Sequence, residues 1–525
     1  MPRIQTQLNN LDAISQAIDP WYWAWSNGLR LGSGPFEVAG HEFQQRPMSV
    51  RPKIKVVRKA RQFTFTQAEV IDSIQGMIHG EYPVGVYYLL PTKDKVADFS
   101  RVRFKTLIKL NPQLIGAHVR DTDSVTLKQI GNGFLYFKSG RLAQDIHGMK
   151  TSASLKGDPI DHAVYDEFDE MYPCEDVDSY VDSGMSHSKV GTKHYLANPT
   201  FPDYGISAKF DLSDQEYWHL KCLACNAWTC MDDADDDDPL VHFHERKDGT
   251  AFRACHKCGR EVNPRIGEWV AKRPSITDVL GFTIGHPSAN WIDPTALLQE
   301  WRTTKDRANF IRLKFGRGYI EAENRLSVEQ VLELCGDHGI ASSDPGPCSM
   351  GVDQGKGLHV VIGNPDGAIL HINEYRDWEE LDQLMTMFHV QRCVVDALPE
   401  TRNARSFSGR FPGKVFLNYY NEHQKGSYAW NERDMIVSSN RTESLDSSHA
   451  QVRDKVIYLP RQSDIVRTFA THLHNVAKKL EEDEETGSKR YVYVKLGADH
   501  YRHAFNYECM ARQNMPDLLF PEFAN

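Results

Sequence analysis

The chain has 525 residues, of which 40% are hydrophobic and 25% charged, and a formal net charge of −10. At about 150 residues per domain it holds two to four domains, and no apolar run approaches the roughly 18 residues of a membrane-spanning helix. The negative balance excludes a protein that coats nucleic acid permanently, which needs excess Lys and Arg at every phosphate contact, but leaves room for a local basic track.

The opening residues, Met1 to Gln7, lack the apolar core of a signal peptide. Ten cysteines, four of them in two Cys-x-x-Cys pairs, suit a reducing compartment and metal ligation better than a disulfide framework. The expectation is therefore an intracellular protein without membrane association. Trp21, Trp23 and Trp25 lie close together in an N-terminal segment, residues 1–34. They form either a docking patch for a partner or an aromatic patch packed on the neighbouring domain.

Residues 51–61 carry six cations. From residue 53 to about 215, short apolar runs at 54–57, 84–90, 163–165 and 194–197 alternate with helix-like stretches, which predicts a mostly parallel α/β sheet. The run Ile160 to Glu167 is a short apolar strand ending in two adjacent carboxylates, Asp166 and Glu167. This is the pattern of a Walker B strand, in which the first acid holds Mg²⁺ on ATP and the second orients or deprotonates the attacking water. Upstream, the strand at 54–57 leads into Arg58 to Thr66, in the place of a phosphate loop before a helix. The ordinary loop uses glycine, lysine and Ser/Thr; here Thr64 and Phe65 occupy the glycine and lysine positions, and only Thr66 matches in kind. Lys59, seven residues before Thr66, can supply the missing cation, with Arg61 as the second candidate.

A cysteine-bearing insertion is expected from about 216 to 275. Cys222-x-x-Cys225 and Cys255-x-x-Cys258 supply four thiolates for a closed tetrahedral Zn²⁺ site, with 29 residues between the pairs. Cys230 is a spare candidate ligand, while Cys174, Cys335, Cys348, Cys393 and Cys509 read as core thiols. The six Asp in residues 232–238 read as a solvated loop.

Residues 336–347 are the best linker candidate. A second α/β pattern follows: strands at 348–353 and 359–363, an Asn-Pro-Asp-Gly turn, a strand at 368–374, a helix, and a strand at 392–396. Asp353 and Asp396 tip two of these strands, and Asp499 opens a helix-like run with His500 beside it. Three acids on separate elements can hold the two Mg²⁺ or Mn²⁺ ions of a nuclease, with His500 next to the metals. Arg402, Arg405, Arg410, Lys414, Arg433 and Arg441 are candidates for gripping a DNA backbone, or are ordinary surface charge.

The order of these segments resembles the large terminase subunits of tailed phages, in particular the lambda-type, GpA-like branch whose phosphate loop carries its lysine early. Phe43 to Met48, including Gln44, resembles the adenine-side glutamine motif, and Pro91 to Lys93 with Asp98 to Arg101 resembles the segment after the second strand. Lys59 to Gln67 matches the deviant loop, Ser152 to Leu155 the approach to the Asp-Glu pair, and Ala197 to Thr200 the element that couples hydrolysis to DNA movement. Asp499 to Ala504 resembles the nuclease ending.

The resemblance implies an α/β chain: a RecA-like P-loop ATPase domain with a zinc-ribbon insertion, followed by an RNase H-like nuclease domain. The expected division is an ATPase core at 35–215, a zinc-binding insertion at 216–275, an ATPase C-terminal subdomain and linker at 276–340, and the nuclease at 341–525. It implies that Gln44, Lys59, Arg61, Thr66 and Asp166 bind the nucleotide with its Mg²⁺, that Glu167 is catalytic, and that Arg101 or Arg103 is an arginine finger. Double-stranded DNA, a small terminase subunit and the portal of a procapsid are the implied partners, with a homo-oligomeric ring docked on procapsids in the host cytoplasm. Two other readings share parts of this pattern: a helicase-nuclease, and a zinc-bearing phage assembly factor with an inactive nucleotide site.

Overall fold

The computed structural model describes residues 11–516 apart from 145–149, 152–154, 156, 172–173, 235–237, 320–323, 356, 422–423, 425, 427 and 483–488. Most of the Ser152 to Leu155 phrase and the middle of the acidic run therefore lie outside the described residues. The chain divides into two compact units, Met1–Tyr319 and Ile320–Asn525. The boundary falls ahead of the expected linker at 336–347, because Leu326, Val331 and Leu334 are buried in one cluster with Val361, Phe469 and Phe505 of the second unit.

The first unit is built on a sheet whose principal strands are β1 (Ile54–Lys59), β2 (Gly85–Leu90), β3 (Gly133–Ser139), β4 (His162–Asp166), β5 (Thr192–Ala197), β6 (Glu216–Lys221), β7 (Gly267–Ala271) and β8 (Val279–Ile284). Its central order is β8-β1-β5-β4-β2-β3, with every one of these pairs parallel. Successive side chains on a strand point to opposite faces, and both faces are covered. Val57, Val164 and Leu196 enter one core, whereas Val56, Ala163, Tyr165 and Tyr195 enter the other. Double-sided burial explains why these strands read as continuous apolar runs rather than alternating ones. After β1 comes helix α1 (Phe65–His79), which ends at Gly80 in a left-handed conformation (φ 81°) that glycine adopts without a Cβ penalty.

The stretch expected as an insertion is not wholly outside the sheet. β6 pairs in parallel with β8 through Glu216 and Tyr217, and β7 pairs antiparallel with β6. A hairpin of Phe243–Glu245 and Ala251–Arg253 pairs separately.

The second unit carries a sheet of β9 (Cys348–Gln354), β10 (Leu358–Gly363), β11 (Ile369–Tyr375), β12 (Val390–Asp396), β13 (Val415–Tyr420) and β14 (Ile436–Ser439), with Ala429–Asn431 at one edge. The order is β11-β10-β9-β12-β13-β14; β9, β10 and β11 form an antiparallel meander, and β9, β12, β13 and β14 run parallel. Helix α2 (His500–Gln513) lies directly on β9. The approach is so close that a Cβ on Gly351 would sit 2.0 Å from the Ala504 carbonyl oxygen and 2.2 Å from the Glu508 nitrogen. Glycine at 351 is what lets the helix reach the strand, and it brings Asp499 and His500 to the end where Asp353 stands.

Candidate active sites and metal centre

In the first unit β5 separates β1 from β4, so the carboxyl ends of the three strands open side by side, the place where parallel sheets bind ligands. A cleft of about 880 Å³ lies there, lined among others by Lys59, Arg61, Thr66, Arg103, Glu167 and Asn198. Arg103 is thus the arginine of the expected pair that reaches the cleft, while Arg101 is exposed on the same helical stretch. A smaller cavity of about 190 Å³, lined by Gln44, His41, Met48 and Ile71, shares Thr64 and Gln67 with the cleft.

The loop after β1 explains its unusual residues. Thr64 has φ −78°, so its position does not require glycine. The left-handed residue of the loop is Gln62, at φ 65°. Gln44 donates a hydrogen bond to the Thr64 hydroxyl. Phe65 is buried and packs against Phe43, ring centroids 5.8 Å apart with the planes tilted by 59°, so the side chain at the lysine position belongs to the core. The loop is pinned from behind: Ala60 N donates to Ile284 O, Arg61 N to Leu313 O, and Asn198 Nδ2 to both Lys59 O (3.1 Å) and Arg312 O (2.6 Å). Gly316, at φ 63°, lies so near that a Cβ there would be 2.4 Å from Ala60 N.

Asp166 is held by two donors, Thr66 Oγ1 to Oδ1 at 3.1 Å and the Tyr88 hydroxyl to Oδ2 at 3.1 Å. Burial raises its pKa, against the pull of Lys59 and the two hydroxyls. Burial in turn lowers the pKa of Lys59, with Asp166 and Glu167 pulling it back up. A desolvated ammonium beside a cleft is poised for an anionic ligand, since a phosphate would supply the counter-charge that burial removes. The separation of Thr66 Oγ1 and Asp166 Oδ1 also fits two neighbouring oxygens around a Mg²⁺ at about 2.1 Å bond length. Glu167, at φ 63°, is half-exposed, and Lys95 bridges it and Glu170 at 2.6 and 2.7 Å.

The four cysteines meet. Sγ of Cys222 and Cys258 are 3.6 Å apart, as are those of Cys225 and Cys255, and all four lie within 4.8 Å of one another. A tetrahedron with Zn–S bonds of about 2.3 Å has edges near this length, so the set fits Zn²⁺. Burial acts upward on the Cys255 thiol, but the backbone N–H groups of Cys258 and Lys257 bring it down to about 6, which favours the ligating thiolate. The nearby acidic run begins differently from expectation: Asp232 is buried, accepts from the Ser288 hydroxyl at 2.5 Å and is pushed by burial up to about 6, whereas Asp233 pairs with Lys272.

In the second unit Asp353 and Asp396 end adjacent parallel strands, one step beyond the Val352–Val395 pair. Burial, with Asp353 as a neighbouring like charge, pushes Asp396 up to about 6, and Tyr507 donates to its Oδ2 at 3.1 Å. Asp499 is drawn to Lys495 Nζ (2.6 Å) and His503 Nε2 (3.4 Å), so its carboxyl lies well below the usual range despite burial. His500 Nδ1 meets Asp353 Oδ2 at 2.9 Å, and that hydrogen bond raises the imidazole pKa. Asp353 groups with His359 and His500 within metal-ligating distance, a combination the sequence reading did not include. Of the expected DNA-gripping cations, Arg410 is engaged with Asp382, and Arg441 donates to the Tyr493 carbonyl.

The first unit's strand order, cleft and acid-tipped β4 define a nucleotide-hydrolysing α/β protein of the P-loop class. Residues 47–272 match the family model described as phage terminase large subunit gpA, ATPase domain. That stretch of the chain is similar to the ATPase domain of the phage terminase large subunits. No curated protein matches it by sequence. Among solved structures it is similar to the large terminase of bacteriophage HK97, at 12% identity over 92% of this chain and 97% of that one, with a TM-score of 0.49. The Phi-28 gp11 DNA packaging motor is similar at 10% identity over 81% of this chain and 94% of that one, with a TM-score of 0.28.

Proposed function

We propose that this chain is a terminase large subunit, which drives double-stranded DNA into a procapsid by ATP hydrolysis and cuts concatemeric DNA with a metal-dependent endonuclease in the same chain. The observation that supports this reading best is the presence of two different strand-end acid sites, one facing phosphate-binding cations and one gathering carboxylates. Residues 35–215 with 276–319 then form the ATPase, 216–275 carry a structural Zn²⁺ site, and the second unit is an RNase H-like nuclease, whose mixed sheet begins with an antiparallel meander and continues in parallel strands.

In the ATPase, Gln44 serves the adenine side, Lys59 and Arg61 hold the phosphates, and Thr66 and Asp166 would hold Mg²⁺, whose chemistry there would be to neutralise the phosphate oxygens. Glu167 orients the attacking water once released from Lys95, and Arg103 is the arginine finger. Asn198 ties the end of β5 to the Lys59 carbonyl, so a change at the phosphates reaches the segment that moves DNA. In the nuclease, Asp353, Asp396 and Asp499 would hold the metals, whose chemistry there would be to activate water and stabilise the leaving 3′-oxygen. Packaging then occurs in the host cytoplasm, in a ring of copies docked on the portal, with the small terminase subunit choosing the sequence. No helix among the described residues is long and apolar enough to cross a membrane.

The test is ATP hydrolysis with double-stranded DNA present. Glu167→Gln is expected to lose about 10² to 10⁴-fold in rate, the usual weight of a general base. Absence of hydrolysis by the wild type, even with procapsids, would instead favour a zinc-bearing assembly factor.

A further inference from the structure

His359 stands alone on β10, and nothing in the cutting chemistry described above uses it. The register brings it into a row of polar residues across the second sheet. Asp353 on β9 is its direct partner on one side and Glu374 on β11 its direct partner on the other. Directly paired residues share a face, so Glu374, His359 and Asp353 project together, and Asp396 continues the row on β12. From above, α2 delivers His500, whose ring stacks on that of His359 at 4.5 Å with the planes 17° apart.

Three features of this cluster point to a bound cation. Ligand atoms of Asp353, His359 and His500 lie within 4.8 Å of one another. His359 is 8% exposed, and its buried Nδ1 has no hydrogen-bond partner among the described residues; a buried polar nitrogen left without a partner is costly unless something else satisfies it. Finally, Asp353, Asp396, Asp499 and Glu374 outnumber the neighbouring Lys495, so a divalent ion lowers the electrostatic cost of gathering them. A third ring, His472, packs nearby, but its Nδ1 already accepts the Tyr501 N–H at 3.2 Å.

We infer that Asp353, His359 and His500 form a metal position with two imidazole ligands, which takes a divalent transition ion in preference to Mg²⁺. Imidazole nitrogen suits the first-row transition ions, whereas Mg²⁺ favours an all-oxygen octahedron. Asp353 then lies between this position and the carboxylate side formed with Asp396. The inference rests on the nuclease reading for its chemical purpose, but not for its geometry.

The probe is Mn²⁺ added, without nucleotide, to full-length protein holding one equivalent of Zn²⁺, enough to fill only the four-cysteine site, read by pulsed electron paramagnetic resonance. Mn²⁺ binds N/O/S sites more weakly than Zn²⁺ and so does not displace the ion at the four cysteines. The expected spectrum shows nitrogen couplings from directly bound imidazole. His359→Ala, and the shape-conserving His359→Gln, should each weaken Mn²⁺ binding about tenfold or more and reduce that coupling. Mn²⁺ bound without nitrogen coupling, no Mn²⁺ bound at this unit, or an affinity unchanged in both variants would overturn the inference. Should one variant fail to fold, the other decides. Nitrogen-coupled Mn²⁺ in a protein that never cleaves plasmid would leave the metal position standing and sink the nuclease reading. Cleavage without nitrogen coupling would do the reverse.

Discussion

At the strand ends of the first unit, a buried lysine looks across at Asp166 and Glu167, with Arg61 and Arg103 adding positive charge to the cleft. At the strand ends of the second unit, Asp353 and Asp396 stand on neighbouring strands, and the groups around them are imidazoles and further carboxylates. Both regions are α/β sheets with acids at the carboxyl ends of parallel strands. The sign of the surroundings separates them: cations face the acids of the first, whereas imidazoles and further carboxylates face those of the second. On the proposed reading the first would receive an anion that brings its own metal, and the second would hold metal before any substrate arrives.

The sharpest way to break this comparison is to remove the cation of the first site. Lys59→Ala should cut ATP hydrolysis by about 10² to 10³-fold, the scale of losing one electrostatic contact to a developing charge, while Mn²⁺-dependent plasmid cleavage persists. Unchanged hydrolysis would pass the role to Arg61. The complementary change, Asp353→Asn, should lower plasmid cleavage by about 10²-fold and leave ATPase activity within twofold of wild type. Loss of both activities in either variant would mean that the two sites are not chemically separate.

A third prediction concerns stability. Burial, and then the adjacent His194, hold His162 in β4 down to about 3, far below its ordinary 6.5. Between those values the unfolded chain binds the proton and the folded chain does not, so stability falls as the pH falls below about 6.5. The first unit should lose about 2 kcal/mol from this group between pH 6.5 and pH 5. Thermal unfolding of the wild type against His162→Gln checks it: a drop of equal size in both would assign the loss elsewhere. The smallest effect is expected from Asn198→Ala, which removes the hydrogen bonds to Lys59 O and Arg312 O. At about 1 kcal/mol for a net hydrogen bond, hydrolysis should slow roughly fivefold to tenfold, with DNA-stimulated turnover affected more than basal turnover.

The legible features of this chain were those that need contiguous residues. An apolar strand ending in Asp166-Glu167, two Cys-x-x-Cys pairs and the early Lys59 announce themselves because chemistry and local geometry share one short segment. Thr64 misled because the template assigns glycine by position, whereas this loop places its left-handed residue at Gln62 and uses Thr64 as an acceptor for Gln44. The strands Glu216–Lys221 and Gly267–Ala271 are hidden in the sequence because the cysteine pairs mark residues 216–275 as an insertion, although both strands join the sheet beside Val279–Ile284. His359 was invisible for a different reason. A single histidine in an apolar strand has no signature until the pairing of three strands sets Asp353 and Glu374 at its sides.

The fit of α2 against Gly351 carries a consequence for the order in which the protein becomes competent during synthesis. The cleft of the first unit draws on residues from Leu31 to Asn198 and is braced by Gly316, so it can close while the second unit is still on the ribosome. The acids of the second unit wait for Asp499 and His500, nearly 150 residues after Asp353. A nascent chain therefore acquires its two sites in sequence, the cleft first, and a fragment released early would carry the strand-end aspartates without the helix that completes them.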